Sequence, residues 1–251
     1  MIILCVDGLD PDLAAEFGYH MPFECKLDIP IDLFEDGVPH TLHVWPSIFR
    51  GEVSRHPNLQ EINVNPLRHR VRKFLHKKGI KWKRKGEIKY LWKVFKPAVG
   101  RTLLDNYSSF WWNIPGVSEG FIFSVSPSYM KTNYEVFKHL AENLVRYKYD
   151  IVALYTRLID WYGHMAINPK ILYYEVFSLA KRLPGDIMVV SDHGCVRGNH
   201  TDHAYLGCTR SVFAENVLDV RAEIERILWE DKSCTPTHPP SLYHPVLEPS
   251  H

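Results

Sequence analysis

Long hydrophobic runs are missing from this 251-residue chain. No segment reaches the roughly 18 to 20 consecutive apolar residues of a membrane-spanning helix. The N-terminus has no basic stretch followed by a long apolar core. MIILCV runs directly into VDGLDPD and is expected to be a buried strand, not a secretion signal. Cysteine is scarce and unpaired in pattern: Cys5, Cys25, Cys195, Cys208 and Cys234 are odd in number and include no CxxC spacing. They read as reduced thiols of a cytoplasmic protein, not as a disulfide framework. What remains, 45% apolar and 24% charged residues, suits a soluble globular chain of one α/β domain or one domain with an insertion.

Four apolar runs end in turn residues and predict parallel strands at 2–6, 120–125, 151–156 and 186–191. Two helices with 3.6-residue periodicity fall between the last three. Residues 133–147 align Val136, Phe137, Leu140 and Leu144, and residues 169–182 open on a proline. Such alternation implies βαβ units, so the expected fold is α/β, with a mostly parallel central sheet sandwiched by helices. A strand at 204–208 and a helix at 217–229 follow. One catalytic domain is expected over 1–232, with a basic cap inserted at about 58–118. Residues 233–251, rich in Pro, Ser and His, read as a disordered tail.

The charge distribution is uneven. Residues 68–101 hold fourteen Lys or Arg against a single acid, Glu87, in a chain whose net charge is only +1. Trp82, Tyr90 and Trp92 are interleaved with these basic residues. That pattern fits a cap meeting an anionic partner or single-stranded nucleic acid, and equally two solvated helices packing their aromatic faces on the main domain.

Chemistry concentrates near the expected strand ends. Asp7 closes the first strand, and a carboxylate there is costly unless paired or metal-bound; Asp10 is better placed to cap a helix at Pro11. Asp160 and His164 share one face of a helical turn through their i, i+4 spacing. Asp192 and His193 follow an apolar strand, and both reach one ion only if the chain bends there, which Gly194 permits. His200 is favoured over His203 as a further imidazole. Thr41, in PHTLHVWPSIFRGE, adds a hydroxyl. Cys195 reads as a small residue packed beside the site, with an approach to a metal as the other reading. Carboxylates and imidazoles suit Zn²⁺ or Mn²⁺, and a hydroxyl held against two such ions becomes a nucleophile, so the set points to a two-metal hydrolase of phosphate esters.

With VDGLDPD, TLHVWPSIFRG, DWYGH, SDHG and a late His, the chain resembles the alkaline phosphatase superfamily. Its type I phosphodiesterase/nucleotide pyrophosphatase branch is the most similar, and the cofactor-independent phosphoglycerate mutases are cousins. The resemblance covers roughly 1–57 and 119–210. It implies that Thr41, ten residues before Gly51, is the nucleophile, with Ser47 as a rival in the same segment. It further implies one ion held by Asp7, Thr41, Asp192 and His193, and another by Asp160, His164 and His200. Two positions depart from the pattern. Val44 stands where an Asn usually holds a phosphate oxygen, and Arg50 stands before the turn glycine where a Thr is usual, leaving Arg50 or a cap lysine to make that contact. The resemblance therefore implies a metal-dependent phosphodiesterase, with a phosphomonoesterase on the same scaffold as the alternative. A nucleic-acid-binding protein using residues 68–101 is a reading from another class. A mutase would need a larger second domain, and a sulfatase a CxPxR-like context that is absent.

Overall fold

The computed structural model describes residues 1–56, 93–95, 100–119, 121–124 and 126–233. In chain order its strands are β1 (Ile2–Val6), β2 (Phe23–Asp28), β3 (Phe34–Glu35), β4 (Val38–Pro39), β5 (Lys93–Phe95) and β6 (Ser109–Trp112). They continue with β7 (Phe121–Phe123), β8 (Ile151–Thr156), β9 (Ile187–Val190), β10 (Cys195–Val196), β11 (Asn199–His200) and β12 (His203–Cys208). The helices are α1 (Pro11–Phe17), α2 (Thr41–Arg50), α3 (Pro127–Leu144), α4 (Leu158–His164), α5 (Lys170–Arg182) and α6 (Val220–Ser233).

β1 is buried along its whole length because it is central and covered on both faces. It pairs in parallel with β8 (Ile2↔Val152 to Val6↔Thr156) and with β9 (Ile2↔Ile187 to Cys5↔Val190). The six-stranded sheet runs β2-β12-β9-β1-β8-β6, and only β12 is antiparallel to its neighbours. Strand alternation divides the core in two. Ile3 and Cys5 face a cluster with Trp45 and Phe49 of α2 and Ile224 and Ile227 of α6. Ile2, Leu4 and Val6 face the opposite cluster, with Phe137 of α3 and Tyr173 and Phe177 of α5. The sheet is thus mostly parallel and covered by helices on both faces, as expected for the α/β class.

Several elements differ from expectation. The apolar run at 120–125 forms β7, but β7 pairs antiparallel with β5 in a separate two-stranded sheet. The fourth parallel strand is instead β6, within the span expected to be the cap, and it pairs with β8 from Ser109↔Ile151 to Trp112↔Leu154. All four β6 residues are half-buried, so this edge strand lacks the apolar signature of a central one. β2, FECKLD, was also not anticipated; as the other edge strand it exposes its charged residues. α3 begins earlier than the periodicity suggested and buries Met130, Tyr134, Phe137 and Ala141, leaving Val136 at the exposed rim. Nearly all of the basic 68–101 segment, with Trp82, Tyr90 and Trp92, lies outside the described residues, as does the expected tail beyond Ser233. Among the described residues, no helix is long and apolar enough to cross a membrane.

Candidate metal centre

The three central strands end side by side, and their C-terminal loops are stitched together. Asp7 N donates to Thr156 O at 2.9 Å, Asp160 N to Asp7 O at 3.0 Å and Cys195 N to Gly8 O at 3.0 Å. β8 and β9 flank β1 on opposite sides although they follow one another in sequence, so the chain crosses over there, and open α/β sheets bind ligands at such a place. Gly8 makes the close approach possible. Its φ is +78°, and a Cβ on it would lie 2.5 Å from Asp160 Cα.

Each candidate side chain is delivered by its own element. Asp7 follows β1, and Asp10 next to it caps α1, its Oδ1 accepting from Leu13 N at 3.0 Å. Thr41 is the first residue of α2, whose N-cap is His40 and whose C-cap Gly51 adopts φ +68°. Asp160 and His164 lie one turn apart on α4, with Asp160 Oδ1 3.1 Å from His164 Nε2. Asp192 and His193 come just after β9, at the expected bend in the chain. His200 ends β11, stacks on His193 with centroids 4.0 Å apart, and sits 2.9 Å from His164, Nε2 to Nε2. All seven residues meet. His203 does not join them: its ring faces Asp28 and Asp202.

Two donor clusters result. Around His193 Nε2 lie Asp7 Oδ1 at 3.2 Å, Thr41 Oγ1 at 3.3 Å and Asp192 Oδ2 at 3.4 Å. Around Asp160 Oδ1 lie His164 Nε2 at 3.1 Å and His200 Nε2 at 3.4 Å. Zinc bonds of about 2.0–2.1 Å in a tetrahedron separate neighbouring donors by about 3.3 Å. Among the described residues, donor atoms of Asp7, Asp160 and His193 all lie within 4.8 Å of one another, and so do those of Asp160, His164, Cys195 and His200, whereas Asp192 joins neither group. The tautomers agree. His193 Nδ1 is 3.1 Å from Gly194 O and His200 Nδ1 is 3.4 Å from Pro39 O. A carbonyl only accepts, so Nδ1 carries the proton and His193 Nε2 presents its lone pair to the cluster. Burial lowers His200 but Asp160 outweighs burial and raises it, so a cation there would displace the proton on its Nε2.

The carboxylates carry the same message. Asp7 Oδ1, Asp160 Oδ1 and both oxygens of Asp192 are buried and accept no hydrogen bond among the described residues. Such atoms are costly to bury unless something positive meets them. Without it, protons must serve: burial, then the charges of Asp192 and Asp160, push Asp7 up to about 8. Burial and then Asp160 push Asp192 up to about 7. Asp160 differs. Burial opposes its ionisation, but Arg157 and the two imidazoles together outweigh burial and hold it well below the usual carboxylate range. Burial also lowers His193, keeping it neutral as a ligand must be. Two groups of donors could therefore hold a metal ion, Asp7 with Asp160 and His193, and Asp160 with His164, Cys195 and His200.

One expectation was not met, one rival falls away and one residue was missed. Arg50 cannot serve the site: it closes the far end of α2, about 14 Å from Thr41 at 1.5 Å per residue, and it bonds Ser54 and Glu52. Ser47 is turned away, donating to His43 O at 2.7 Å and accepting from Ser54 N at 2.8 Å, which pins the turn after α2. Arg157 was not anticipated. Its Nε and Nη2 both lie 2.9 Å from Asp160 Oδ2, and its Nε is 3.5 Å from Asp7 Oδ2. An arginine directly after a buried strand and three residues before Asp160 was the available signal.

No family model and no curated protein matches the chain. Among solved structures it is similar to the PH0037 protein from Pyrococcus horikoshii, with a TM-score of 0.52 and 11% identity, covering 95% of this chain and 98% of that one. At that identity the likeness shows a shared fold alone.

Proposed function

We propose that this chain is a metal-dependent phosphoester hydrolase of the alkaline phosphatase type, most simply a phosphodiesterase/nucleotide pyrophosphatase, with Thr41 as nucleophile. The observation that carries the reading is the position of Thr41 Oγ1, 3.3 Å from His193 Nε2 at the edge of the carboxylate–imidazole cluster. Bound at the two clusters, Zn²⁺ or Mn²⁺ ions would favour the alkoxide form of this hydroxyl and offset charge on the phosphoryl oxygens.

The chain's own residues do the rest. Thr41 opens a ten-residue helix, so the positive end of that helix favours negative charge at its oxygen and on a phosphoryl group in contact with it. Thr41 Oγ attacks phosphorus opposite the leaving alcohol, forming a phosphothreonine that water then cleaves. Tyr155 and Arg157 hold the rear oxygens of Asp7 and Asp160, keeping the opposite oxygens turned to the clusters. His193 and His200 are held in register by the carbonyls behind them.

The test compares bis-p-nitrophenyl phosphate with p-nitrophenyl phosphate, using wild type and Thr41→Ala stripped and reloaded with Zn²⁺ or Mn²⁺. Metal-dependent cleavage of the diester that disappears in Thr41→Ala, with metal content unchanged, is the expected result. Preference for the monoester would move the protein to the phosphatases. Substantial turnover by Thr41→Ala would remove Thr41 as nucleophile.

A further inference from the structure

Cys195 lies against the second cluster, and its placement is built. β10 and β11 form a hairpin whose two-residue turn, Arg197 and Gly198, has φ +50° and +84°, as a tight hairpin of this length requires. Cys195 and His200 are direct cross-strand partners in it, and such partners project to the same face. That face meets α4, which supplies Asp160 and His164 one turn apart. One donor atom from each of Asp160, His164, Cys195 and His200 falls within 4.8 Å of every other.

Two further observations favour a ligand over a packing residue. Asp160 Oδ1, at the centre of the group, is buried with no well-formed hydrogen bond and faces His164 Nε2 at 3.1 Å and His200 Nε2 at 3.4 Å, where a cation could take the place of their protons. Gly163 stands where any side chain would exclude the sulfur, since a Cβ there would lie 2.5 Å from Cys195 Sγ. A hairpin offering Cys and His to an i, i+4 pair on a helix provides four donors from two rigid elements, the arrangement that closes a tetrahedral zinc site.

We propose that Cys195 is the fourth protein ligand of the second ion, making it a Cys-Asp-His₂ site that takes zinc in preference to manganese or magnesium. The thiolate is the reason: soft sulfur widens the preference for zinc beyond that of the oxygen-and-imidazole set around Asp7. With four protein donors the second ion would be held entirely by the chain, so direct contact with the substrate falls to the Thr41 side and the second ion would act on the phosphoryl group through its charge alone. The inference rests on the metal centre of the reading above but not on its hydrolytic activity.

The experiment loads chelator-stripped full-length protein with Co²⁺, counts bound ions by mass spectrometry and records the near-ultraviolet absorption. Wild type should show a thiolate-to-cobalt charge-transfer band. Cys195→Ser and Cys195→Ala should lose the band, and Cys208→Ala should keep it. In competition, wild type should select Zn²⁺ over Mn²⁺ at one site, and Cys195→Ser should weaken that selection without abolishing it, since imidazole and carboxylate alone still favour Zn²⁺ over Mn²⁺. Circular dichroism identifies variants that fold, and the isosteric Ser variant carries the test if Ala does not. Cobalt bound by wild type without the band, or with a band that persists in the Cys195 variants, overturns the ligand role while leaving the metal centre standing. Absence of any bound cobalt overturns both.

Discussion

The Tyr155 hydroxyl donates to Asp7 Oδ2 at 2.5 Å, while Oδ1 of the same carboxylate faces His193 Nε2 at 3.2 Å. The phenol thus orients a candidate ligand from behind. Its ring is independently fixed by edge-on contacts with Trp45 and Phe121. Tyr155→Phe keeps those contacts and removes only the donor. Metal affinity at the Asp7 cluster should fall by about 10- to 100-fold, the usual cost of losing a group that orients a ligand. Titration of stripped protein with Zn²⁺ checks this; unchanged affinity would mean that Arg157 suffices to hold Asp7.

The metal-stripped protein should lose stability as pH rises. Asp7 and Asp192 titrate near 8 and 7 in the fold, against a little below 4 for a free carboxyl. Between those limits the native state holds protons that the unfolded chain has released, so increasing pH favours unfolding. Asp160 acts in the opposite sense in acid below the ordinary carboxylate range, and His40, His43 and His193, lowered by burial, do so up to about pH 6.5. Melting temperature of the stripped protein should therefore decline from about pH 7 to about pH 8, above the ordinary imidazole range. Added Zn²⁺ should restore most at the alkaline end, where it competes with fewer protons. A stripped protein equally stable across that range would contradict the burial of these two carboxylates.

His200 and His203, three residues apart, should behave differently. His200 Nε2 is 3.4 Å from Asp160 Oδ1, whereas His203 faces Asp28 and Asp202 at the surface end of β12. His200→Ala should bind one fewer ion per chain and lose turnover, while His203→Ala keeps both ions. Metal counting by mass spectrometry separates the two, and loss of an ion from His203→Ala would reverse the assignment.

Much of the site was legible because each side chain follows a local rule. Asp7 and Asp192 stand just past apolar strands, Asp160 and His164 are spaced for one helical face, and Gly194 marks the bend that lets Asp192 and His193 point together. Arg157 and Tyr155 were not legible, since an arginine and a tyrosine near a strand end have many ordinary roles and their partner Asp7 is about 150 residues away. Arg50 was misjudged because nearness in sequence to Thr41 becomes the length of a helix once α2 forms. β6 and β2 escaped notice because edge strands carry polar and half-buried residues, while the apolar run of β7 is equally compatible with a small separate ribbon.

By itself the sequence determined the α/β class, the central strands β1, β8 and β9, and the residue types of the candidate metal centre, because apolar periodicity and turn chemistry act over a few residues. Only the tertiary structure decided that β8 and β9 flank β1, that His200 and not His203 turns toward Asp160, and that Cys195 lies among the donors. Those outcomes depend on which faces pack against the two helical layers and on the direction of a two-residue hairpin. No short stretch of chain carries that information.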